Sequence, residues 1–161
     1  MNFSRYPERH PVVEMINEPA YSFGSSDNIR HYATEVLLGD DRNTLSSVHG
    51  IVVDGVPVIV VGAGGGASGI HANSMLHLGR LLFFAVGPYV CHFTPGNKEL
   101  DWYLKVDEAT CFGIYYDKRH GALISHGELQ ISRFSAGGQL FWSASGADIF
   151  FGRHFAHGRR H

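Results

Sequence analysis

Leu81-Leu-Phe-Phe-Ala-Val-Gly87-Pro-Tyr-Val-Cys91-His-Phe-Thr-Pro-Gly-Asn-Lys-Glu-Leu100-Asp-Trp102 is echoed by Gly121-Ala-Leu-Ile-Ser-His126-Gly127-Glu128-Leu-Gln-Ile-Ser-Arg-Phe-Ser-Ala-Gly-Gly-Gln-Leu140-Phe-Trp142. Gly87 and Gly127, Leu100 and Leu140, and Trp102 and Trp142 are each 40 residues apart. A fixed period of this size marks a repeated supersecondary unit, and it outranks local propensity in deciding the fold. Within it, Leu100, Trp102, Leu104 and Val106 alternate with Asp101, Tyr103, Lys105 and Asp107, the period-two pattern of a strand with one dry face. The expectation is an all-β chain of short antiparallel strands meandering through two or more packed sheets, with little helix. Its strands fall at 75–78, 81–86, 89–94, 100–106, 112–117, 122–126, 128–134 and 139–145. Four strands in 40 residues is the size of a β-propeller blade.

Upstream, Asp54-Gly55 separates the valine-rich runs 47–53 and 56–61, the signature of a hairpin whose two central residues take positive φ. Pro57 gives the second run one position without a ladder donor. The segment 31–38 also alternates, and 12–16 reads as an edge strand. Gly62-Ala-Gly-Gly-Gly-Ala-Ser-Gly69 is expected as a loop, since so many glycines forfeit packing and cost conformational entropy. One β-rich domain over 1–161 follows: an irregular segment at 1–30, strands, hairpin and glycine loop at 31–74, duplicated four-stranded units at 75–151, and a basic tail at 152–161.

Gly138-Gln-Leu140-Phe-Trp142 resembles the closing strand of tryptophan-containing propeller blades. The stretch from Asp107 to Phe150 is similar to an uncharacterised bacterial all-β family that brings no activity with it. Two blades are fewer than the three or more that stacked repeats need. Asp148-Ile-Phe-Phe-Gly152 parallels 107–113, as though a third unit begins there. The resemblance therefore implies completion by the N-terminal strands or by another chain, and open edges imply a homo-oligomer.

Composition narrows the function. Hydrophobic residues are 44% and charged residues 17% of 161, which places the chain among globular proteins rather than disordered ones. A net charge of −2, with no Lys/Arg cluster before the tail, argues against nucleic acid as a partner. The apolar runs are too short to span a bilayer and the N-terminus lacks a signal-peptide core, so no membrane partner and a cytoplasmic location are expected. Two cysteines, Cys91 and Cys111, form neither a disulfide framework nor a metal spacing, and both read as buried thiols.

Candidate chemistry is sparse. Gly64-x-Gly66-x-x-Gly69 follows a strand in the form of a dinucleotide fingerprint, but that strand belongs to a hairpin. No acidic residue lies between Gly69 and Glu99 to hold a ribose, so no nicotinamide, flavin or other cofactor is expected. A ligand-binding loop of Gly64, Gly66, Ser68, Gly69 and His71, with Arg80 nearby, is the remaining reading, cradling an anion on backbone N–H groups. Its alternative is a connector or a close crossing of backbones. His126 and Glu128 share a face of any continuous strand and are the candidate acid–base pair, with His71 or His92 as a third group, for a small hydrolase or isomerase. Eleven histidines raise a metal, but no His-x-His or His-Glu-x-x-His array supplies a third ligand and no metal site is assigned; His154 and His157 fall in the tail. The paired aromatics, such as Phe83-Phe84 and Tyr115-Tyr116, put one ring of each pair on the second face of a strand, where a second sheet, a partner or a ligand must cover it. The first functional expectation is accordingly a non-enzymatic, self-associating binding or protein-interaction module, with a protein or small molecule as partner.

Overall fold

The computed structural model describes residues 10–39 and 44–145. The segment from 148 onward, with the third-unit reading, the tail and His154 and His157, lies outside the described residues. Four strands form the first sheet: β1 (Val13–Asn17), β2 (Thr34–Leu38), β3 (Ser47–Val53) and β4 (Val56–Ala63), in the order β1-β3-β4-β2. Asp54 and Gly55 turn the β3–β4 hairpin with φ of 49° and 81°, as the Asp-Gly pair requires. β1 is an edge strand on β3. Pro57 stands opposite Val52 at a register shift, and β2 pairs with β4 only from Ile59 onward, so the missing donor falls where no neighbour needs it.

Two expectations are corrected here. β2 runs parallel to β4, in an otherwise antiparallel protein. Leu38 and Ser47 both register with Ala63, so the end of β2 and the start of β3 sit at one end of the sheet and the connection has only to step across β4. The glycine run also begins later than its composition suggests, because Gly62 and Ala63 belong to β4. A side chain on Gly62 would come within 2.9 Å of the Phe23 ring, so packing of the covering segment sets this glycine and outweighs its weak strand preference.

The second sheet is a meander of β5 (Met75–Leu78), β6 (Leu81–Val86), β7 (Tyr89–Phe93) and β8 (Trp102–Lys105). The third is a meander of β9 (Cys111–Asp117), β10 (Ala122–Gly127), β11 (Gln130–Phe134) and β12 (Leu140–Ser145). Among the described residues there is no helix and no closed sheet. Each of these two sheets is a meander of four consecutive strands, and they do not close into a ring.

The three sheets are layers with the second in the middle. Leu38, Ile51, Ile59, Val61 and Ala63 of the first sheet meet Leu82, Phe84, Val86, Cys91 and Phe93 of the second. On the opposite face Phe83, Ala85 and Val90 meet Cys111, Ile114, Leu123 and Phe134 of the third. Phe83 and Phe84 are both fully buried, one in each core, which answers the paired-aromatic problem with sheets on both sides. Each such ring contributes about 1.5–3 kcal/mol by leaving water. The outer face of the first sheet is covered by Tyr21, Phe23 and Tyr32 of the segment between β1 and β2, packed on Val48, Val52 and Val60.

Two cross-strand rows hold the same place in their sheets. Leu76, Phe83, His92 and Trp102 are successive partners across the second sheet, on the face that the third covers. Tyr115, Ile124, Arg133 and Trp142 are successive partners across the third sheet, on its outer face. Among the described residues no further sheet lies over that face.

Candidate functional site

The glycine loop is tied to the protein through Ser68. Ser47 and His49 alternate on β3 and project to one side, both buried. The Ser68 N–H donates to Ser47 Oγ at 2.8 Å, Ser68 Oγ lies 3.0 Å from His49 Nε2, and Gly87 N–H donates to Ser68 Oγ at 2.8 Å. Ser68 Oγ also lies 3.3 Å from Ser47 Oγ, and the buried His49 Nδ1 makes no hydrogen bond. Burial lowers the His49 pKa, the backbone at Val48 and Ser68 offsetting only part of it, so the ring is neutral. The cluster fastens the loop to β3 and to the turn at Gly87.

The loop backbone is spent in the same way. Gly66 N–H donates to Ala109 O at 2.9 Å, and a Cβ at Gly66 would fall 1.9 Å from Thr110 Oγ1. A Cβ at Gly64 would meet Thr44 O at 3.0 Å. Gly69 borders open space, and exposed His71 accepts the Asn73 N–H on Nδ1 at 3.2 Å in the turn before β5. A cleft of about 250 Å³ beside the loop is lined by Gly64, Gly65, Pro88, Tyr89, Lys105 and Glu108.

His126 projects from the outer face of the third sheet, its ring 6.1 Å from that of Phe112. Glu128 does not share a strand with it: β10 ends at Gly127 with a register shift, and Glu128 N–H turns away to Thr110 O at 2.8 Å. The cause is Asp107, buried, whose carboxylate accepts Ala109 and Thr110 N–H on Oδ1 and Leu129 and Gln130 N–H on Oδ2, at 2.7–3.0 Å. Gly127 is glycine because a side chain there would strike that carboxylate. His92 lies on the other side of the third sheet, stacked on Phe83 at 4.4 Å with Nδ1 2.9 Å from Leu82 O and Nε2 3.4 Å from Asp101 Oδ2. Among the described residues no group of three His, Cys, Asp or Glu side chains is placed to hold a metal. Both thiols are buried, and burial pushes Cys91 up and Cys111 up to about 12, which keeps each protonated and non-nucleophilic.

Sequence reasoning passed over Asp107, His49 and Ser47. The Asp107-x-x-Thr110 turn and the Ser47-x-His49 alternation were the available signals, and each is common in β proteins. It also passed over Tyr21 and Glu35, which line a cleft of about 630 Å³ together with Phe23, Gly24, Leu37 and Leu45 at the β2 edge. Among the described residues no helix is long and apolar enough to cross a membrane. No protein-family model matches the chain and no curated sequence matches it; of the resemblance drawn from the sequence, the all-β character is what the structure shows.

Proposed function

We propose that the protein acts by binding rather than by catalysis, as a self-associating module that docks a second copy of itself on the outer face of its third sheet. The observation that carries this is the matched pair of rows. Leu76, Phe83, His92 and Trp102 form a face that another sheet covers within the chain, while Tyr115, Ile124, Arg133 and Trp142 occupy the same positions on the outermost layer. Tyr115 of that row and Phe112 beside it each remain 42% exposed, which leaves two aromatic side chains of one sheet face in water. Arg133 is held by Asp117 at 3.1 Å, so the row offers a flat, charge-compensated surface suited to an identical partner.

Hydrogen exchange at rising protein concentration tests this. Amides of β9 and β12 gain protection as the copies meet, while those of β1, at the far side of the molecule, do not change. Concentration-independent exchange throughout the third sheet contradicts the proposal.

A further inference from the structure

We infer that the 630 Å³ cleft at the free edge of the first sheet binds a small organic cation, an amine or guanidinium carrying an apolar body. The volume is that of a small-molecule site rather than a packing defect. Its walls are Tyr21, Phe23, Leu37 and Leu45, with the two rings edge to face at 5.1 Å. Phe23 and Leu45 are set in place by Gly62, whose missing side chain lets both close over β4.

Glu35 supplies the charge. Its Oε2 accepts the Tyr21 hydroxyl at 2.5 Å, and Gly24 N–H donates to Oε1 at 3.0 Å and Oε2 at 3.3 Å. These neutral donors orient the carboxylate without neutralising it, and among the described residues no Lys, Arg or His pairs with it. Glu18, on the same covering segment, has its cation already in Arg30, at 3.0 Å. Burial and the neighbouring carboxylate raise the Tyr21 pKa, so the hydroxyl stays the donor and Glu35, which lines the cleft, the acceptor. A second cleft of about 260 Å³, also lined by Tyr21, carries Asp27. An aromatic wall beside an oriented carboxylate is the arrangement that recognises an ammonium group through both charge and ring faces.

The competing account is that Tyr21 and Gly24 merely fasten the segment to β2 and the cleft takes nothing. Titration of the full chain with phenethylamine, followed by amide NMR, separates the two. The inference expects saturable shifts at Gly24 and Leu37 with a dissociation constant on the order of 1 mM for so small a probe. It expects 3-phenylpropionate, of similar shape and opposite charge, to bind at least tenfold more weakly, and Glu35→Gln, which keeps an acceptor for Gly24, to weaken phenethylamine at least tenfold. Absent saturation at those amides, equal binding of the two probes, or an unchanged Glu35→Gln variant overturns it. The comparison of probes on the unaltered protein stands by itself if the variant fails to fold.

Discussion

His49 is a residue whose chemistry burial alters. It is fully buried, it is hydrogen-bonded to Ser68, and its depressed pKa means that the folded state resists protonation. The unfolded chain takes up that proton near the ordinary value of 6.5, so the stabilisation is complete above pH 6.5 and drains away as pH falls below it. His77, also depressed by partial burial, adds to the same limb. Thermal melting from pH 7.5 down to 4.5 is expected to show a falling Tm that His49→Gln, which preserves a donor to Ser68, partly flattens; an unchanged slope in the variant contradicts the assignment. None of this was legible in the sequence, where His49 is one of eleven histidines and burial leaves no mark on a single letter. Asp54 and Gly55 were legible, because positive φ at two consecutive positions restricts the residues that fit.

Among the elements, strands were readable wherever one face is wet. The alternation across 100–106 announced β8, which forms over Trp102–Lys105; Trp102, Leu104 and Val106 pack into the core between the second and third sheets, whereas Leu100 packs into the other core. Parallel pairing of β2 was not readable, since register between distant strands depends on where their ends meet rather than on either run of residues. The proposed pairing of His126 with Glu128 failed for a related reason. The sequence spacing held, but a buried carboxylate 20 residues upstream fastens the turn and sends Glu128 elsewhere. Asp107 joins two turns, one before β9 and one between β10 and β11, with four backbone donors. Asp107→Ala strands those N–H groups in the interior, and a loss of about 3 kcal/mol or more in denaturant unfolding is the expected result. A loss under about 1 kcal/mol would mean that water replaces the carboxylate and the joint is dispensable.

At the scale of the whole molecule, two of the three layers have their outer surfaces treated differently. The first sheet is roofed by its own chain through Tyr21, Phe23 and Tyr32, while the third presents Phe112 and Tyr115 to solvent. The residues from 75 to 145 form two four-stranded meanders, and the sequence left open which of their faces would be covered. Self-association through that last face is the central claim, and molecular mass by light scattering on a size-exclusion column tests it most directly. At protein concentrations on the order of 100 µM, the account predicts twice the 17.7 kDa of one chain, falling to a single chain in Tyr115→Asp with the melting temperature retained. A mass of 17.7 kDa for the unaltered protein, or a dimer indifferent to Tyr115→Asp, contradicts it.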